Sequence, residues 1–363
     1  MEFESSVNGY SKNEKGEKHE CLVVSAHLDL PAIWRYTNNG EMQGGFVTFV
    51  MEPTEETQWL MVYDKPSGAF STIIPKERRI LFITEPREYV EYNADYLEQF
   101  GVIFSPYELP DYDGRCIVTN ACLGWWTGSV CDKGLPCFSS LRDTENFSAP
   151  VKTKVISAIN SASSSFSGHK KRLGFICKLM DYFKERIDFY GRGIHPVNDK
   201  LQAILDYKYI IAIENSSSKY YWTEKLTDVW VGWGIPIYYG DPSILDQLPN
   251  SKGIEVLSSI DDFDAAISRI ETILKVNDYD SRLDAIKECR TWAIKNGNPF
   301  EKASWFIKTV SLPAMRLLSQ PQIIHKRKER FYPKSIFYFM VRTILGDRFA
   351  SILYQTYKAI QRR

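Results

Sequence analysis

The chain has 363 residues, in which 45 Lys and Arg balance 45 Asp and Glu, and 44% of residues are hydrophobic. That length exceeds one ordinary core, so two domains are expected, and zero net charge excludes a dedicated nucleic-acid binder, which needs a basic field. No stretch reaches the roughly 18 apolar residues that span a bilayer. The polar start, MEFESSVNGYSKNEKGEKHE, reads as a disordered lead-in over residues 1–18 and not as a secretory signal. The expected place of the chain is the cytoplasm or the cytoplasmic face of a membrane.

Residues 19–150 are expected to form an N-terminal domain. Segments 20–26 (ECLVVSA), 59–63 (WLMVY) and 79–84 (RILFIT) read as buried strands, with a helix over 93–100 and a strand over 102–105. Strands alternating with helical stretches predict parallel βαβ units. Between residues 109 and 150, turn formers and aromatics obscure the pattern. Four of the seven cysteines (Cys116, Cys122, Cys131, Cys137) fall there, without a Cys-x-x-Cys pair or a histidine among them. Zinc-ligand spacing is therefore missing, and free thiols are expected. Gly124-Trp125-Trp126 could touch an acceptor sugar or pack in the core.

Ser148-Ala149-Pro150 suggests a boundary, and residues 151–320 read as a second α/β domain. A strand over 154–159 leads into a Ser-rich loop over 161–167, placed where a phosphate loop could sit. A helix over 172–184 follows, then a strand over 187–190, a helix over 199–206 and another over 261–274. Arg172 is read at a helix start, where a guanidinium can take a diphosphate in bidentate fashion. The stretch 207–242, YKYIIAIENSSSKYYWTEKLTDVWVGWGIPIYYGDP, carries the most chemistry. A buried strand ends in Glu214-Asn215, and in an open α/β sheet ligands sit beyond the carboxyl ends of strands. Thr223 is an expected N-cap, and the following helix start offers free N–H groups and a positive dipole end. Lys225 adds a mobile cation there. Thr-Glu-Lys alone also occurs as ordinary surface at helix starts. Trp230 and Trp233 read as core packing, and the five histidines show no triad or metal-ligand spacing.

From residue 321 onward there are ten Lys or Arg against Glu329 and Asp347, a balance of +8 that leaves −8 on residues 1–320. Interleaved large apolar residues make 321–363 a basic amphipathic helical tail, suited to an anionic membrane surface. A helix packed on its own domain or on a partner subunit would show the same pattern.

The order Ile213-Glu214-Asn215, Tyr221-Trp222-Thr223-Glu224-Lys225-Leu226 and Ile235-Pro236 through Gly240 resembles the donor-site motif of the fucosyltransferases of glycosyltransferase family 10. The strong resemblance covers residues 168–242, with weaker echoes over 79–126. It implies the GT-B architecture, two facing Rossmann-like α/β domains. It also implies transfer of L-fucose, or a related deoxy sugar, from GDP-fucose to a hydroxyl of an oligosaccharide or lipid-linked glycan with inversion. Arg172 and Lys225 would neutralise the diphosphate, so no metal or other cofactor is expected. By the same resemblance Glu224 binds the ribose hydroxyls, Asn215 and Tyr221 line the phosphate and sugar region, and Glu214 stabilises positive character at the anomeric carbon. The family's base lies in a Thr-Gly-Glu segment, to which Ile83-Thr84-Glu85-Pro86 is an imperfect match, with Thr84 in place of glycine. Glu85 is the expected general base and Glu88 the fallback. Bacterial members of the family commonly carry basic C-terminal segments, which makes bacterial surface polysaccharide synthesis the expected setting. A non-catalytic sugar-nucleotide-binding subunit would keep Glu224 and Lys225 without needing Glu85. A two-carboxylate glycoside hydrolase would not need Arg172 and Lys225.

Overall fold

The computed structural model describes residues 18–26, 33–42, 44–132, 134–160, 167–313 and 315–327. The lead-in, most of the Ser-rich loop and all of the tail beyond Arg327 lie outside the described residues. Continuous apolar runs build two parallel sheets, as expected of strands covered on both faces. The first contains β1 (His19–Ser25), β2 (Val47–Val50), β3 (Thr57–Tyr63), β5 (Arg79–Phe82), β6 (Val102–Ser105) and β7 (Arg115–Val118), in the order β2-β1-β3-β5-β6-β7. The second contains β8 (Lys154–Ile159), β9 (Asp188–Tyr190), β10 (Tyr207–Ile213), β11 (Ile235–Tyr239) and β12 (Glu255–Val256), in the order β12-β11-β10-β8-β9. All pairings within both sheets are parallel. Two such Rossmann-like sheets are the GT-B pattern predicted from the sequence.

Both sheets share one winding logic. In each, an early strand pairs with its successor on one side and with the third strand on the other, so direction reverses between β1 and β3 and between β8 and β10. A crevice opens at the carboxyl ends of strands flanking such a reversal. In the second sheet those ends lead to Asn160 and to Glu214-Asn215.

The helices that matter for the site are α3 (Ser167–Phe183) and α4 (Glu224–Val231); α1 is Ala94–Leu97 and α2 is Leu141–Asn146. The helix expected over 172–184 begins at Ser167, so Arg172 sits in its second turn and not at its start. Over 199–206 only a 3-10 turn forms, Lys200–Ala203, with Asp199 accepting from the Leu201 N–H. Later come α5 (Ile244–Gln247), α6 (Phe263–Val276), α7 (Leu283–Gly297) and α8 (Pro299–Thr309). Phe300, Ala303, Phe306 and Ile307 of α8 join Trp59, Phe49 and Phe104 in the core of the first sheet, so the chain crosses back after its second sheet. A short antiparallel pair, β4 (Phe70–Thr72) with β13 (Gln322–Ile324), fastens the last described residues to the same half.

Trp230 and Trp233 are buried, and their indole N–H groups donate to Gly253 O and Phe147 O at 2.8 and 2.9 Å. Trp125 is wholly buried as well. Cys131 and Cys137 form a disulfide across a sequence separation of 6, contrary to the expectation of free thiols, because the turn brings their Cα atoms to 4.9 Å. The other five cysteines are free. No helix among the described residues is long and apolar enough to cross a membrane.

Candidate active site

The candidate site assembles at the carboxyl ends of β8 and β10. Glu214 leaves β10 fully enclosed and accepts from the Thr223 N–H at 2.9 Å and from the Thr223 hydroxyl at 2.8 and 2.9 Å. The same hydroxyl oxygen caps α4 by accepting from the Lys225 N–H at 3.3 Å, as the sequence predicts. One threonine thus ties a strand end to a helix start. The Lys225 ammonium then reaches three oxygens: Thr223 Oγ1 at 3.1 Å, Glu214 Oε2 at 3.3 Å and Glu224 Oε1 at 3.4 Å.

A second lysine completes the array. Lys200, from the 3-10 turn, pairs with Asp228 and lies 3.6 Å from Glu224 Oε1. Asp228 also accepts from the N–H groups of Trp126 and Thr127 at 2.6 and 2.8 Å, so it pins the aromatic string of the first half to α4. Burial works against the charge on Glu224, but Lys225 and Lys200 outweigh it and hold that carboxyl at about 2. Glu214 goes the other way: its burial dominates and raises it despite Lys225. Burial pulls Lys225 down, and Glu214 and Glu224 more than restore it, so it stays charged. Arg172 is 5% exposed; burial lowers its pKa, partly offset by Glu214 and Glu224. His169, one turn earlier on α3, is pushed down to about 4 by burial and by the Arg172 and Lys225 charges, and is neutral at pH 7.

The first half meets this array through the segment after β5. Tyr89 donates to Asn215 O at 2.7 Å, and its ring lies 5.8 Å from that of His169. Gly168 stands at this junction, where an added Cβ would fall 1.9 Å from Asn215 O and 2.1 Å from Tyr89 Oη, so only glycine fits. Glu88 is exposed and accepts from the Ser216 and Ser218 hydroxyls at 3.4 Å, which fastens the two halves together. Glu85 is half-buried, and its charge is the leading electrostatic influence, after burial, that raises the enclosed Tyr221 phenol. Glu85, Arg172, Glu214, Asn215, Tyr221, Glu224 and Lys225 are therefore gathered in one neighbourhood, with Glu85 approaching from the opposite half.

Sequence reasoning missed Lys200, Asp228, Tyr89 and His169. Asp228 had a signal: it lies four residues after Glu224 on one helix face, and two neighbouring carboxylates call for a shared cation. Lys200 arrives from a distant turn and left no local trace. Among the described residues no group of three or more His, Cys, Asp or Glu side chains is arranged to hold a metal ion.

Residues 149–285 match the family described as "Glycosyltransferase family 10 (fucosyltransferase) C-term". Similar curated proteins include the "GDP-fucose protein O-fucosyltransferase 3" of Gallus gallus, 31% identical over 102 residues, 24% of this chain and 21% of that protein. Another is the "Alpha-(1,3)-fucosyltransferase B" of Drosophila melanogaster, 36% identical over 78 residues, 22% of this chain and 17% of that protein. The chain thus spans about a fifth of the length of these relatives. A crystal structure of an alpha1,3-fucosyltransferase aligns with 78% of this chain and 84% of that one, at 16% identity and a TM-score of 0.46.

Proposed function

This chain belongs to glycosyltransferase family 10, the fucosyltransferases, through residues 149–285, and on that premise we propose that it moves L-fucose, or a related deoxy sugar, from its GDP derivative to a glycan hydroxyl with inversion. The observation that carries the reading is the array of the buried Glu214 with the partly exposed Lys225, Glu224 and Lys200 at the end of β10, with Arg172 on α3 and Glu85 approaching from the other half. Cations already fixed by ion pairs stabilise developing negative charge without reorganising when it appears. Lys225 and Arg172 take the charge that gathers on the departing diphosphate. Glu224, kept ionised by its two lysines, accepts from vicinal ribose hydroxyls. Tyr221 and Asn215 line the phosphate and sugar region.

Glu85 takes the proton of the acceptor hydroxyl as that oxygen attacks the anomeric carbon from the face opposite the diphosphate. The carbon–oxygen bond to the diphosphate breaks as the new bond forms, and GDP leaves. Glu214 offsets the positive character of the sugar ring in between. The charge neutralisation is assigned to Arg172 and Lys225, with no metal ion in the scheme. The acceptor we propose is an oligosaccharide or lipid-linked glycan of a bacterial surface polysaccharide. The basic stretch beyond Arg327 would hold the enzyme on the cytoplasmic face of an anionic inner membrane, each basic group there contributing about 1 kcal/mol.

The test is calorimetric titration of the chain with GDP-fucose and a panel of other sugar nucleotides, followed by a transfer assay on glycan acceptors. Tight binding of GDP-fucose with turnover supports the reading. Preference for another nucleotide sugar overturns the donor, and binding without any transfer supports a non-catalytic subunit.

A further inference from the structure

Asn160 terminates β8, on the flank of the reversal opposite β10. The register pairs Ala158 with Ile211, which carries Asn160 to the level of Ile213, one residue short of Glu214. Its backbone is clamped: its N–H donates to Tyr190 O at 2.9 Å, and Gly191 crowds its carbonyl so closely that an added Cβ would fall 1.7 Å from it. Its side chain is 5% exposed, yet neither Oδ1 nor Nδ2 has a hydrogen-bond partner. Across the reversal, Asn215 Oδ1 is also buried without one. Such a group carries its full desolvation cost when nothing satisfies it, and unsatisfied side-chain groups of this kind are uncommon in folded proteins. Two carboxamides at the carboxyl ends of the strands flanking the reversal, each with an unmet atom, mark a place that a ligand completes.

The chemistry of the amide narrows the ligand. A phosphate oxygen only accepts, so it could satisfy Nδ2 but never Oδ1. An edge that both donates and accepts satisfies both, as a sugar hydroxyl or the rim of a purine base does. We propose that Asn160 is a further donor-recognition residue, which binds a donor-and-acceptor edge of the sugar nucleotide while the cations hold its diphosphate. This inference rests on the reading that the crevice takes a nucleotide sugar, and it extends that site to the β8 side.

The test titrates wild type, Asn160→Ala and Asn160→Asp with GDP-fucose and with GDP, each protein checked first by its thermal midpoint without ligand. Both variants are expected to bind GDP-fucose about tenfold more weakly or worse, since losing one hydrogen bond of about 1.5 kcal/mol has that effect. Weakening confined to GDP-fucose places the edge on the transferred sugar, and weakening shared with GDP places it on the nucleoside; either supports the proposal. Asn160→Asp keeps an acceptor and loses the N–H donors, so wild-type affinity in that variant overturns it. Unchanged affinity in Asn160→Ala overturns it too. Should a substitution unfold the chain, the wild type is titrated with deoxygenated donor analogues and with a base-modified one. An affinity that no single deletion lowers then overturns the proposal. Failure of the wild type to bind GDP-fucose sinks the functional reading itself, whereas binding that Asn160→Ala leaves intact sinks this inference alone.

Discussion

Two acids close strands of the two sheets, and they are used differently. Asp64 ends β3 and is completely enclosed; Tyr92 donates to its carboxylate, Tyr96 donates to its carbonyl at 2.8 Å, and Arg327 lies 3.6 Å away. Those partners come from its own half, and the arrangement knits β3 to the start of α1 and to the last described residue. Glu214 ends β10 equally enclosed, but its partners Thr223 and Lys225 sit at a helix start, beside Arg172 and Glu224. One enclosed acid fastens elements together, and the other preorganises charge where a ligand enters. Burial alone does not mark a site; what distinguishes Glu214 is that it neighbours further charges at strand and helix ends.

That contrast can be broken by experiment. The largest effect is expected from Glu85→Gln, which keeps the shape and removes the base: turnover should fall about 10²–10⁴-fold with donor affinity unchanged in calorimetry. Glu88→Gln should change turnover by less than tenfold, and the opposite ranking would exchange their roles. Next, Lys225→Met leaves Glu214 and Glu224 without their shared cation. It should abolish donor binding and lower the unfolding free energy by about 3–5 kcal/mol, read from urea midpoints. Adding Glu214→Gln should recover part of the stability and none of the binding. If Arg327→Met, the matching change at Asp64, also abolished donor binding, the contrast would fail.

A smaller effect concerns acid. His169 titrates at about 4 in the folded chain against an ordinary 6.5. Between those values the unfolded chain takes up a proton that the folded site refuses, so stability falls as pH drops through that window. His169→Gln should flatten that limb of the urea midpoint plotted against pH. The smallest is the disulfide: Cys131→Ser should cost about 2 kcal/mol by the loop-entropy relation, with donor affinity unchanged.

Much of the fold was legible because it depends on local pattern. Strand 209–213 is an uninterrupted apolar run between turn formers, and Thr223 before Glu-Lys announces a helix start on its own chemistry. The helix expected over 172–184 begins five residues earlier, because Gly168 is a weak helix former that close approach to Asn215 and Tyr89 holds in the first turn, with His169 against the Tyr89 ring. The 3-10 turn at Lys200–Ala203 was read as a longer helix, since periodicity over so few residues cannot tell them apart. The disulfide was missed because two cysteines six apart meet only if the intervening turn closes.

The linear order of residues determined the pieces: two sets of alternating strands and helices, and a strand-end Glu-Asn followed by a capped Thr-Glu-Lys. Those follow from hydrophobic period and backbone hydrogen bonding, which act between near neighbours. Only the tertiary structure decided the company these residues keep. Lys200 reaches Glu224 and Asp228, Tyr89 reaches Asn215, and Asn160 lies across the reversal from Asn215 because sheet winding brings distant strand ends together. Charge and desolvation depend on distance in space, so the ionisation of Glu224 and the neutrality of His169 exist only in the folded chain.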